Sequence, residues 1–200
     1  MNTTSKNYWA TAINLHEEYK SCEWRDNNLE LVFDFILAQN LPSPKSALEL
    51  GCGGALNLKR AQDEWRKCKI TGIDINQHII DWCANEYSKN SNFICANLAD
   101  ASIMSQFKDK QFDIGFTSGF LMHIQEGQAK ADLISEFIRV CKYGTMFEHF
   151  ENNNELIYNE GNYNNCIYVI EDYRKYAPDK IILSDVKNHA SMQLFYFENY

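Results

Sequence analysis

The sequence predicts an α/β protein: a doubly wound sheet of mostly parallel strands with helices on both faces. Three observations carry that expectation. Short apolar runs alternate with segments of helical period from Ala47 to about Phe150, the pattern of a parallel sheet assembled from strand–helix–strand units. The first run, Ala47-Leu48-Glu49-Leu50, breaks into Gly51-Cys52-Gly53-Gly54 before a helical pattern resumes, which reads as strand, tight turn and helix. The last two runs, Ile181 to Val186 and Ser191 to Phe197, have no helix between them. They are expected to close the sheet as an antiparallel hairpin.

Two hundred residues with 45% hydrophobic content suit one domain with a full core. A net charge of -8 and a pI of about 5.1 disfavour a phosphate backbone as partner, so no nucleic-acid substrate is expected. No N-terminal basic segment precedes an apolar core, and no apolar run reaches membrane-spanning length. The expectation is a cytoplasmic protein with no membrane partner. The seven cysteines include no C-x-x-C pair, so they read as reduced core thiols and no metal site is assigned.

Taken in order, residues 1–27 form a polar and aromatic arm with Tyr8, Trp9, Tyr19 and Trp24, ahead of a domain over 28–200. Trp9 and Tyr19 read either as packing residues of the arm or as a flap over a ligand site. Asn28 is placed to cap a helix carrying Leu29, Val32, Phe33, Ile36 and Leu37, ended by Pro42 and Pro44. After the glycine turn a helix is expected from Ala55 to Trp65, then a strand from Lys69 to Asp74, then a helix from Asn76 to about Ser88. Asn92 to Ala96 reads as a third strand, followed by Asn97, and Asp100 starts a short helix toward Phe107. Phe112 to Thr117 is the fourth strand. A helix over Ala129–Cys141 turns Leu133, Ile134, Phe137 and Ile138 inward, and Gly144 is read as its terminator. Thr145 to Phe150 is the fifth strand. The asparagine-rich stretch 151–165 reads as a long loop of the lid or binding type, ahead of a helix near Ile167–Tyr176.

The glycine turn is the chemical centre of this pattern. Glycine permits a sharp bend and close approach of a ligand, and the following helix turns its free N–H groups and positive dipole end toward it. The dinucleotide fingerprint G-x-G-x-x-G/A would need Gly or Ala at position 56, where the chain has Leu56. The alternative is E/D-x-G-x-G-x-G, which Glu49, Gly51 and Gly53 match, with Ala55 in the last place. Asp74 follows Gly53 by twenty-one residues at a strand end. In a parallel sheet that carboxylate emerges beside the turn, where it can accept both hydroxyls of a ribose; the bland alternative is that it caps the next helix.

The combination resembles the class I S-adenosylmethionine-dependent methyltransferases over about residues 28–200. Glu49, Gly51 and Gly53 match the first motif, Asp74 the ribose acid, and Asn97 the residue on the adenine side. Phe112-Asp113-Ile114-Gly115-Phe116 with Leu121-Met122-His123-Ile124 resembles the fourth motif and its trailing leucine–histidine pair. The resemblance implies a Rossmann-like, seven-stranded sheet with a reversed last strand and S-adenosylmethionine as cofactor. It places Glu49, Gly51, Gly53, Asp74, Ile75, Asn97, Leu98 and Thr117 at the cofactor. A narrower resemblance, to methylases associated with pseudaminic acid and other surface-glycan biosynthesis, rests on Trp9, Glu18-Tyr19, Arg25 to Asn27, Leu58, His123-Ile124 and Glu148. It implies a small-molecule acceptor, a surface-glycan precursor or a phosphorylated metabolite, with Trp9 and Tyr19 on the substrate side. The chain departs from that group after Glu148, where His149-Phe150-Glu151-Asn152 replaces a Tyr-Tyr-Asn-Pro run.

Methyl transfer is an in-line displacement at a sulfonium, to which an enzyme contributes orientation and, for a hydroxyl or protonated amine, a base. His123 is the first candidate base and Glu148 the second; packing is the alternative for each. Thr117-Ser118-Gly119-Phe120 is not the Asn/Asp-Pro-Pro-Tyr signature of adenine or glutamine-amide methylases. Two other classes stay open at this level: a nicotinamide-dependent oxidoreductase of the same topology and a cofactor-binding module without catalysis.

Overall fold

The computed structural model describes residues 8–13, 23–87, 90–124, 127–149, 181–183 and 192–199. The loop 151–165, the helix near 167–176 and Tyr19 lie outside them. Helix α1 (Glu23–Ala38) precedes strand β1 (Ser46–Leu50), helix α2 (Leu56–Glu64), β2 (Lys69–Asp74), α3 (Gln77–Glu86) and β3 (Ser91–Cys95). A 3-10 turn (Ala101–Gln106), β4 (Phe112–Ser118), a second 3-10 turn (Leu121–His123), α4 (Gln128–Val140), β5 (Cys141–His149), β6 (Ile181–Leu183) and β7 (Met192–Glu198) complete it. A helical turn over residues 8–11 stands at the front.

Among the described residues, seven strands form one sheet in the order β3-β2-β1-β4-β5-β7-β6. Neighbours are parallel except around β7, which is antiparallel to both β5 and β6. This is the Rossmann-like α/β sheet with an antiparallel C-terminal strand that the motifs implied. β1 lies between β2 and β4, so the order reverses there, and ligands of such sheets sit outside the carboxyl ends of the strands at that reversal.

Both faces of the sheet are covered, which is why its central strands read as nearly continuous apolar runs. Ala47, Ile70, Ile114, Phe116, Phe147 and Leu194 pack with α1, α2 and α3. Leu48, Leu50, Ile73, Met146 and Phe197 pack with α4 and the first 3-10 turn. Alternation along β1 therefore turns Glu49 toward the α2 side, beneath the glycine turn.

Two boundaries differ from the sequence expectation. α1 starts at Glu23, five residues before Asn28. Gly144 does not end α4. The helix passes directly into β5 at Cys141, four residues before the expected strand start, and Gly144 lies inside the strand. It pairs with Gly115 and Phe197, and a Cβ there would enter the Phe197 ring. Close packing, not a turn, requires this glycine.

Candidate functional site

The glycine turn is fastened to the end of β2. Ile73 O accepts from Gly51 N at 2.8 Å and Cys52 N at 3.1 Å, and Ala55 N donates to Cys52 O at 2.7 Å. Gly51 and Gly53 have φ of 67° and 47°, in the left-handed region. The Phe120 ring covers Gly51 so closely that a Cβ at position 51 would meet it. A larger residue at 51 would thus disturb the fold as well as any ligand. Tyr87 Oη closes the turn from behind, donating to Gly54 O at 2.7 Å.

Asp74 stands at the mouth of the turn. Its Oδ2 accepts from Gly53 N at 3.0 Å and its Oδ1 from Asn76 N at 2.9 Å. Burial raises its pKa, and the N–H groups of Asn76, Gly53 and Ile75 oppose that rise. Asp74 does not cap α3; Asn76 does, its side chain accepting from Ile79 N at 3.1 Å. The carboxylate has about four lone-pair sites, more than these backbone N–H groups occupy, which leaves acceptor capacity toward a ribose.

Glu49 is 3% exposed. Oε1 accepts from Asn57 Nδ2 at 2.6 Å, while Oε2 is buried with no hydrogen-bond partner among the described residues. Burial pushes its pKa up to about 8, with the Asn57 bond opposing and the nearby Asp74 charge adding to the rise. Glu49 thus supports the turn from below as a mostly protonated acid near neutrality.

The second wall is the segment after β4. Glu148 is 1% exposed and anchors it: Oε1 accepts from Phe120 N at 3.3 Å and Oε2 from Leu121 N at 3.0 Å. Lys130, also 1% exposed, donates to Leu121 O at 2.8 Å from α4. Burial raises the Glu148 pKa to about 7 against the lowering by Thr117, the two N–H groups and the Lys130 charge. This clamp presents Phe120 over Gly51 and His123 against Trp9, whose ring centroid lies 5.1 Å from the imidazole. Trp9, Gly51, Asp74, Ile75, Ser118, Gly119, Phe120 and His123 together line one cleft.

The remaining expected site residues lie around this cleft and are not among its lining. Asn97 follows β3 and holds its own turn, with Oδ1 accepting from Ala99 N at 3.2 Å. Leu98 packs into the core at 2% exposure, leaving its backbone as the part that could meet a ligand. Thr117 is 2% exposed beside Glu148. Three residues not singled out from sequence help to build the walls: Phe120, Asn76 and Lys130. For Lys130 a signal was present, because positions 130, 133, 134, 137 and 138 form one helical stripe.

These residues fit S-adenosylmethionine. The acid with spare acceptor capacity, the left-handed glycine turn and the Ile75 surface lie in one cleft at the sheet's reversal point. Among the described residues no group of acids, cysteines and histidines could hold a metal ion, and none of the helices is long and apolar enough to cross a membrane.

The methyltransferase domain family matches residues 48–148. No curated protein matches the sequence. Among solved structures, a chain of the complex between the Haloferax volcanii Trm112 methyltransferase activator and a methyltransferase is similar at a TM-score of 0.62 and 12% identity, covering 92% of this chain and 97% of that one. An S-adenosylmethionine-dependent methyltransferase from Aquifex aeolicus has a TM-score of 0.57 and 16% identity, covering 84% and 89%. One from Methanosarcina mazei has 0.58 and 16%, covering 82% and 94%. The chain belongs to the methyltransferase domain family, and its cofactor is S-adenosylmethionine.

Proposed function

We propose that this methyltransferase acts on a hydroxyl or amine of a small molecule, of the surface-glycan-precursor or phosphorylated-metabolite class, with His123 as the base. The observation that carries this reading is that His123, Trp9, Gly51 and Asp74 line a single cleft. Bound S-adenosylmethionine supplies a methyl group on a positively charged sulfur. In this reading Gly51, Gly53, Asp74 and Ile75 hold the cofactor, with Asn97, Leu98 and Thr117 around its adenine side and the strand ends. Glu49 keeps the turn in shape from beneath.

The acceptor sits between the Trp9 turn and the segment after β4. There an imidazole nitrogen of His123 takes the acceptor's proton as the new bond forms. Glu148 acts through its backbone contacts, as a positioning residue: both its oxygens hold the segment that presents His123. The acceptor class rests on the narrower resemblance, which includes Trp9, His123-Ile124 and Glu148. The test is transfer of a labelled methyl group to nucleotide-activated sugars, phosphorylated metabolites and small amines. Transfer to one of these supports the reading; transfer only to protein or nucleic acid overturns it.

A further inference from the structure

Asn76 uses every hydrogen-bonding group of its side chain, and most of them serve something other than α3. Its Oδ1 accepts from Ile79 N and caps the helix. Its Nδ2 donates to Trp9 O at 2.7 Å and to Ala12 O at 2.8 Å, sixty-seven and sixty-four residues away. Its backbone N donates to Asp74 Oδ1 at 2.9 Å. The residue is 1% exposed.

Capping alone does not explain an asparagine here, since Ser, Thr or Asp would supply the same acceptor. Only an amide offers an acceptor to α3 and two donors to the N-terminal turn at once. The turn over residues 8–11, closed by Ala12 N donating to Tyr8 O at 2.9 Å, is far too short to persist unaided. Carbonyls at the end of such a turn lack intrahelical partners, and two of them are met by Asn76.

We propose that Asn76 is a positioning residue that ties the N-terminal turn to the cofactor carboxylate, so that the turn carrying Trp9 is a wall of the ligand site. The proposal rests on the assignment of Asp74 to the cofactor. A ligand held by Asp74 steadies Asn76 through the Oδ1–N bond, and Asn76 steadies Trp9, whose ring lies against His123. Coupling of this kind is reciprocal: releasing the turn weakens the ligand by the same factor that the ligand tightens the turn.

Two variants of the full chain test it. Asn76→Ser keeps a cap and removes both amide donors; Asn76→Asp keeps the cap and the shape but sets one carboxylate oxygen against the two carbonyls. Circular dichroism checks that each folds. Amide exchange over residues 8–13 is followed without ligand and with S-adenosylhomocysteine, and affinity for that ligand is measured by calorimetry. Without ligand, exchange at Ala12 is expected to quicken roughly thirtyfold, the equivalent of two hydrogen bonds of about 1 kcal/mol each. In the wild type the ligand slows that exchange; in the variants it does not, and its affinity falls severalfold. Unchanged Ala12 exchange in both folded variants overturns the tie. A released turn with unchanged affinity overturns the coupling. Full affinity in Asp74→Ala would overturn the Asp74 assignment instead, and the exchange measured without ligand tells the two failures apart.

Discussion

Replacing Glu49 with glutamine should make the protein more resistant to unfolding as pH rises. Glu49 is sealed beneath the glycine turn with one oxygen bonded to Asn57 and the other with no hydrogen-bond partner among the described residues. Its carboxyl releases its proton only at about 8 in the folded chain, against an ordinary value of 4.5. Across that window the unfolded chain has lost the proton and the folded chain retains it. Folding then takes up a proton, and stability falls with each rise in pH. Glutamine keeps the acceptor for Asn57 and removes the titration.

The advantage of Glu49→Gln over the wild type should therefore grow from about pH 4.5 to pH 8 and then level off. At about 1.4 kcal/mol per pH unit the full window sets a ceiling of about 5 kcal/mol, approached only if no relaxation lets water reach the carboxylate. Urea unfolding of both proteins at steps between pH 4.5 and 9 reads the difference directly. A difference that stays constant with pH would mean that Glu49 titrates alike in both states, and would refute the burial argument.

Glu148→Gln leaves one backbone N–H of the 120–121 pair facing an amide NH2 and strips Lys130 of a neighbouring charge; at pH 8 it should cost about 3–5 kcal/mol in urea unfolding. A cost below about 1 kcal/mol would remove Glu148 as the anchor of that segment. His123→Ala should lower turnover by roughly 10²–10⁴ with S-adenosylhomocysteine affinity near that of the wild type, and the wild-type rate should fall on acidification as the imidazole takes a proton. Equal turnover in variant and wild type would show that the acceptor needs no base from this residue.

The alternation of strands and helices and the antiparallel end of the sheet were legible because they follow from local patterns. Glu49 to Gly53 and the acid-ended run at Asp74 mark the reversal point, and the helix-free interval before Ser191 to Phe197 foretold an antiparallel end. What was not legible depends on partners distant in sequence. Gly144 resembles a helix stop until the Phe197 ring from β7 is seen lying over it. Asn76 reads only as the first residue of a helix, because nothing local shows that the carbonyls of Trp9 and Ala12 reach its amide. Glu148 reads as a second base through the narrower resemblance and as a packing residue by its strand position, and nothing local shows that its carboxylate is bonded to the backbone of a segment twenty-seven and twenty-eight residues earlier. Lys130 was visible as a charge on an apolar stripe, but its target, Leu121 O, was not.

The claim on which the rest depends is that the glycine turn and Asp74 hold S-adenosylmethionine. Calorimetric titration of S-adenosylhomocysteine into the wild type and Asp74→Ala tests it without any knowledge of the acceptor. Bonds to a charged acceptor are worth roughly 1.5–3 kcal/mol, so the wild type should bind and the variant should bind about ten- to a hundredfold more weakly. Equal affinity in the two folded proteins, or no binding by the wild type, would contradict the account.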